Sequence, residues 1–203
     1  MDKTALFKIG YGLYVLTARV DECDSGCIIN SVMQVTSGDN SKFLISVNKQ
    51  NYTRDMILSS GIFNISILTT GAKFDIFERF GFRSGRDVDK FEGFGDVHRS
   101  KNGVLYITQN TNAYISFRVI DTIDCDTHTV FLAEVTDAEN IGSGDSVTYD
   151  YYHKNIKPKP EKQNTKGWRC TICGYIYDGD ELPEDFVCPI CKHDASYFEK
   201  ITD

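Results

Sequence analysis

Near the C-terminus four cysteines fall into two C-x-x-C pairs, Cys170 and Cys173 in W-R-C-T-I-C-G-Y-I-Y and Cys188 and Cys191 in F-V-C-P-I-C-K, with fourteen residues between the pairs. Each pair can close a tight knuckle in which both sulfurs face one ion. A tetrahedral sulfur shell selects zinc or iron over magnesium, calcium or manganese. Length points the same way, because residues 167–203 are fewer than the ~40 at which a domain usually folds without a metal, disulfides or a partner. A structural metal supplies on the order of 10 kcal/mol of folding free energy to so small a unit. The ion is therefore expected to be part of the fold.

The residues between the pairs bear on which metal it is. Trp168, Tyr175, Tyr177, Phe186 and Phe198 can form a small apolar core around the thiolates, whereas a ribbon that binds nucleic acid more often carries lysines and arginines. Residues 167–203 hold three Lys and Arg against eight Asp and Glu, a net charge of −5, which disfavours binding to a phosphate backbone. C-T-I-C-G-Y-I-Y-D, L-P-E-D-F-V-C-P-I-C and Tyr197-Phe198-Glu199 resemble a rubredoxin, the family that holds one redox-active iron on four cysteines. The short stretch between the pairs is more similar to the rubredoxin domain of the rubrerythrins. Lys192 stands where the second knuckle normally has glycine. A structural zinc ribbon is the competing reading.

At 203 residues, with 25% charged and 41% hydrophobic content, the chain suits one ordinary domain plus this small one. No apolar run approaches the ~18 residues needed to span a bilayer, and M-D-K-T-A-L-F-K-I-G-Y lacks the order of a signal peptide, so a cytoplasmic location is expected. Cys23, Cys27 and Cys125 remain, an odd number that argues against a disulfide framework. I-K-P-K-P-E-K-Q-N-T-K, rich in Pro and Lys, reads as a solvated linker. The expected boundaries are thus a large domain over 1–155, a linker over 156–166 and a metal domain over 167–203.

Upstream of the linker the dominant pattern is strand: residues 13–20, 26–36, 43–48, 62–68, 104–108, 113–121 and 129–135 are β-branched or aromatic and bounded by turn residues. Ala113–Ile120 alternates, with Ile115, Phe117 and Val119 on one face and Tyr114, Ser116 and Arg118 on the other. Helical spacing is confined to residues 52–60, 72–80 and 150–154. The result is a mainly β expectation, an antiparallel barrel. Neither a dinucleotide-binding G-x-G-x-x-G nor a Walker-type loop is present. In S-V-N-K-Q-N-Y-T-R-D-M-I a strand runs into a helix, with Thr53 as its N-cap and Lys49 just before it, a ready phosphate site. An ordinary capped helix beside a surface lysine fits the same letters.

I-I-N-S-V-M-Q-V-T-S, S-V-N-K-Q-N-Y-T, E-R-F-G-F-R-S-G-R-D-V-D-K-F, D-T-H-T-V-F-L-A-E-V and V-T-Y-D-Y-Y-H resemble, in this order, the flavin reductase family of FMN-binding split barrels, in its ferric reductase and flavoredoxin branch. That resemblance implies non-covalent FMN and a homodimer with the flavin near the subunit interface. It implies Asn30, Ser31, Val32, Met33 and Gln34 along the isoalloxazine. Ser46, Asn48, Lys49 and Thr53 would lie at the ribityl phosphate, with Arg83, Ser84 and Lys90 in the following loop. His128 matches a family histidine near the nicotinamide and is the catalytic expectation, although Thr127 and Ala133 replace the acidic residue and glycine of that motif. His153 matches the Y-x-x-H end of the domain.

The two parts together resemble the high-molecular-weight rubredoxins, which implies an NAD(P)H-dependent, FMN-containing oxidoreductase. In that reading FMN takes a hydride, passes single electrons to a four-cysteine iron, one per chain, and serves an acceptor such as a flavodiiron O2 or NO reductase. Tethering holds the iron domain at roughly millimolar effective concentration. Two other readings stay open: a module reduced by another protein without its own NAD(P)H oxidation, and a zinc-ribbon interaction protein on a flavin-free barrel. No partner of nucleic acid or membrane type is expected.

Overall fold

The computed structural model describes residues 5, 8–158, 167–172, 174–189 and 193–201. The chain divides into two units, Met1–Lys157 and Pro158–Asp203. The larger is mainly β, as expected. Its strands are β1 (Tyr14–Val20), β2 (Cys23–Ile29), β3 (Val32–Gln34), β4 (Lys42–Asn48), β5 (Ile62–Leu68), β6 (Val97–Arg99), β7 (Leu105–Ile107), β8 (Thr111–Cys125) and β9 (His128–Asn140). Helices α1 (Tyr52–Ser60) and α2 (Phe74–Gly81) interrupt them, and a turn α3 (Tyr149–Tyr151) runs into a π-helical Tyr152–Ile156. Seven strands pair in the order β2-β1-β5-β8-β9-β4-β3, and β6 and β7 form a separate hairpin. Each neighbouring pair in the sheet is antiparallel.

The expected strand over 26–36 divides at Asn30 and Ser31, so that β2 and β3 end on opposite edges of the sheet. Strands β8 and β9 run further than expected because their pairing continues from Ala113 opposite Asn140 to Cys125 opposite His128. The short strand β6, too brief to show a period, was not anticipated from the sequence.

One face of the sheet packs a core containing Leu16, Ile45, Val47, Phe63, Phe117 and Phe131, closed by Met56 and Ile57 of α1. Phe63 and Phe117 stack with ring centroids 5.0 Å apart. Of the alternating residues of β8, Phe117 is fully buried there, with Ile115 and Val119 against the cluster. The opposite face is buried in part, Arg118 on it being exposed. Ser116 is wholly inaccessible and Tyr114 is 4% exposed, because the β6–β7 hairpin lies over a row of polar side chains. Asn64 Nδ2 donates to the carbonyls of Val104 (2.9 Å) and Leu105 (3.2 Å), while the Ile107 N–H donates to Ser66 Oγ (3.0 Å). A second cluster, including Ile76, Phe77 and Phe80 of α2 with Leu68 and Tyr152, fills the space beside β2.

The smaller unit is a three-stranded sheet, β11-β10-β12, of β10 (Trp168–Cys170), β11 (Ile176–Tyr177) and β12 (Phe198–Lys200). Among its described residues the buried hydrophobic ones are Cys170, Cys188 and Phe198, with Trp168, Ile172, Tyr175, Tyr177, Leu182 and Phe186 half-buried around them. No helix among the described residues is long and apolar enough to cross a membrane.

Candidate functional site

Strand alternation decides which expected flavin residues share a face. In register, Met33 lies opposite Leu44, Val32 opposite Ile45, Ser46 opposite Val130 and Asn48 opposite His128. Ile45 and Val47 point into the core. Their neighbours Leu44, Ser46 and Asn48 therefore point outward with Met33, Val130 and His128. Ser31 is held beside β4 by its carbonyl, which accepts from the Ser46 N–H at 3.1 Å, and its hydroxyl donates to Asn30 Oδ1 at 3.0 Å. Val32 packs against the core instead, and the Gln34 side chain donates to the Thr36 carbonyl and Ser41 Oγ. Five consecutive residues cannot present five side chains on one side of a strand.

The β4–α1 junction completes this edge. Asn48 Oδ1 accepts from the Gln50 N–H (2.8 Å), and the Lys49 N–H donates to the Thr127 carbonyl (3.0 Å), which brings Lys49 beside the β8–β9 turn. The Lys49 ammonium pairs with Asp124 at 2.5 Å. The N-cap of α1 is Asn51, in extended conformation and without a side-chain cap. The expected Thr53 cap is thus corrected: Thr53 is already inside the helix, 1% exposed, its hydroxyl 3.0 Å from Ser25 Oγ. Helix-leading N–H groups that lack a side-chain cap, with a lysine one turn away, suit a phosphate, so the residues present fit the phosphate end of FMN.

Further charge gathers in the same first turn. Arg54 Nε donates to Thr129 Oγ1 (2.9 Å), Arg54 and Arg86 both pair with Asp55, and the Arg86 guanidinium lies 4.9 Å from the Tyr52 ring centroid. The loop bearing Ser84 and Arg86 reaches this point because Gly85 has no side chain: a Cβ there would stand 2.4 Å from Ser25 Oγ. Ser84 Oγ accepts from the Arg86 N–H.

Two expected phosphate contacts are otherwise engaged. Lys90 is 5% exposed and donates to the carbonyls of Gly26 (2.8 Å) and Phe80 (3.1 Å), clamping β2 to the end of α2. Burial lowers its pKa, opposed by the nearby Cys27. Burial in turn pushes the Cys27 thiol up to about 11, against Lys90 and a hydrogen bond with Thr53. Arg83 lines a cleft of about 300 Å³ with Asp75, Glu78, Arg79 and Asp96. His128 Nδ1 shares a 2.9 Å hydrogen bond with Thr127 Oγ1. His153 sits edge-on to Tyr149 and Tyr152, and burial lowers its pKa.

In the small unit the two described cysteines occupy equivalent turns. The Cys170 N–H donates to the Tyr175 carbonyl, five residues on, at 2.8 Å; the Cys188 N–H donates to the His193 carbonyl, also five on, at 2.8 Å. Gly174, at φ 79°, turns the chain back in the first, where a Cβ would be strained. Cys170 is 1% exposed and Cys188 fully buried, with Phe186 4.7 Å from Tyr177 and 5.3 Å from Phe198 by ring centroid. Two thiols held this way in an aromatic shell fit a sulfur-ligated iron. Cys173, Cys191 and Lys192 lie outside the described residues.

Arg54, Arg86 and Asp124 are additions that sequence reasoning missed. The two arginines stood within quoted motifs. Asp124 gave no local signal, since it is 75 residues from Lys49.

The sheet, the α1 N-terminus and the two thiol turns suit a flavin and a sulfur-ligated metal, and comparison with known proteins agrees. Residues 6–159 match the flavin reductase like domain and residues 168–199 the rubrerythrin, rubredoxin-like domain. The chain belongs to the flavin reductase-like family and carries a rubredoxin-like domain at its C-terminal end. A high molecular weight rubredoxin of Moorella thermoacetica is 36% identical, covering 99% of this chain and 100% of that one. A ferric-chelate reductase (NAD(P)H) of Archaeoglobus fulgidus is 35% identical over 81% of this chain and 96% of its own. Flavoredoxin from Methanosarcina acetivorans shares the fold, with a TM-score of 0.58 at 21% identity over 68% of this chain and 75% of that one. The protein is thus an oxidoreductase that uses a flavin and a rubredoxin-type iron centre for electron transfer.

Proposed function

We propose that the protein oxidises NAD(P)H at FMN in the large domain and delivers the electrons singly, through iron on Cys170, Cys173, Cys188 and Cys191, to an acceptor such as a flavodiiron O2 or NO reductase. The observation that carries this is the convergence of Ser31, Ser46, Asn48, Lys49 and His128 beside the uncapped first turn of α1. The Archaeoglobus relative is named for NAD(P)H, and a Thermus thermophilus protein of the same fold (TM-score 0.58, 23% identity, covering 65% of this chain and 71% of that one) is named for FMN. When bound, FMN supplies the exchange between an electron pair and single electrons. Lys49 and the α1 amides hold its phosphate, Ser46 and Asn48 orient the ribityl side, and Ser31 and Met33 flank the ring. His128 stands across the strand pair from Asn48, where it can position the donor.

The same outward face argues for a homodimer. Met33 (56% exposed) and Ile123 (55%) flank half-buried Leu44, Val130 and Leu132 on one side of β3, β4, β9 and β8. An apolar stripe of this kind commonly marks an interface, and a second copy would cover it and shield the flavin. We place the protein in the cytoplasm, where its odd number of thiols beyond the metal set can remain reduced.

Anaerobic stopped-flow mixing of the full chain with NADH or NADPH, following flavin and iron bands separately, tests the order. Flavin should bleach first and iron second. Cutting within Ile156–Lys166 should leave the first phase and slow delivery to the acceptor. A second reading, reduction by a protein donor, draws on His128 being bonded to Thr127, which stands where the resembled family motif has an acidic residue. It predicts that neither nucleotide bleaches the flavin.

A further inference from the structure

Lys49 is held in two ways to the turn between β8 and β9: its N–H donates to the Thr127 carbonyl at 3.0 Å, and its ammonium pairs with Asp124 at 2.5 Å. The Lys49 side chain is 30% exposed and that of Asp124 72%, so the pair lies at the rim of the α1 N-terminus and is open to solvent. The hairpin end carries further carboxylates at Asp121 and Asp126, both exposed, but the bond to Lys49 is made by Asp124. A phosphate drawn to this turn meets a lysine that already has an anionic partner, with the unneutralised carboxylate close by once it is displaced.

We propose that Asp124 is a competing anion for Lys49, a positioning residue that weakens the grip of the site on the phosphate of its flavin. The inference rests on the reading that Lys49 holds that phosphate. An exposed ion pair contributes little to stability, which makes it suited to displacement: the incoming phosphate needs only modest surplus attraction to replace the carboxylate. Removing the carboxylate removes both the competition for the ammonium and a repulsion between like charges. The effect requires the phosphate, so riboflavin, which has the same ring and ribityl chain without it, should be indifferent to Asp124.

The test is titration of flavin-stripped full-length protein with FMN and with riboflavin at low ionic strength, where surface charges are least screened. Four proteins are needed beside wild type: Asp124→Asn, Asp124→Glu, Lys49→Ala and the Asp124→Asn/Lys49→Ala double variant. Asp124→Asn should bind FMN about two- to fivefold more tightly, leave riboflavin unchanged, and lose its advantage in the Lys49→Ala background. Asp124→Glu, which keeps the charge, should bind FMN as wild type does. If Lys49→Ala weakens FMN while Asp124→Asn binds it no better than wild type, the competition is overturned and the phosphate role of Lys49 stands. If Asp124→Asn tightens riboflavin as much as FMN, the effect does not act through the phosphate and the proposal fails. Should Lys49→Ala itself bind FMN like wild type, the underlying reading falls and the competition with it.

Discussion

The two units are held together by different means. In the large one, Phe63, Phe117, Phe131, Leu16, Ile45 and Ile57 are wholly buried, so apolar surface removed from water can sustain the fold before any cofactor arrives. Among the described residues of the small one, the buried hydrophobic side chains are two thiols and one phenylalanine, and the other rings of that cluster stay half in solvent. There the metal is expected to take the place of a core. A flavin should therefore join a body already folded, whereas iron should take part in folding its own.

The sharpest way to break this contrast is to remove one sulfur. Cys188→Ser should abolish the iron absorption and unfold the small unit, since the ion supplies on the order of 10 kcal/mol there. Flavin content and the thermal transition of the large unit should stay at wild-type values; parallel loss of both would show the units to be interdependent. Phe63→Ala is the mirror experiment. Truncating a buried phenylalanine costs about 3–5 kcal/mol, so the large unit should unfold at distinctly lower denaturant concentration while the iron spectrum is retained. Lys90→Met refines the picture at about 1–3 kcal/mol, because the carbonyls of Gly26 and Phe80 would lose a buried donor.

Lys90 also has a signature in pH. Burial lowers its pKa below 10.5, so between the lowered value and 10.5 the unfolded chain binds more protons than the folded one. Stability of the large unit should therefore rise with pH across that window through this group, and below it the penalty is present in full. In Lys90→Met that rise should be missing from urea titrations repeated at several alkaline pH values.

How much of this was legible depended on how far apart the interacting residues lie in the chain. The surroundings of Cys170 and Cys188 were open to sequence reasoning because the N–H of each meets a carbonyl only five residues on. The core face of β8 was readable because alternation is local, and Phe117 sits where the pattern put it. Thr53 was assigned a cap because nothing nearby reveals Ser25, its actual partner. Lys90 had the charge for a phosphate, but the two carbonyls it meets are main-chain atoms that no side-chain pattern announces. The run Asn30–Gln34 was treated as a continuous lining, whereas pairing with β4 sends Val32 inward and Met33 out.

The polar row under the β6–β7 hairpin works as a ruler. Asn64 offers its amide to the carbonyls of Val104 and Leu105 and accepts from Asn102, and Ser66 waits for the Ile107 N–H. An apolar floor would tolerate a hairpin seated one residue too far along. Here a slip would leave an amide and hydroxyls facing carbonyls and side chains they cannot match, sealed away from water, each at a cost of about 1–3 kcal/mol. The flap should therefore have one seating and no half-docked alternatives, so that its amide protons exchange together, in a single opening event, and not by gradual fraying.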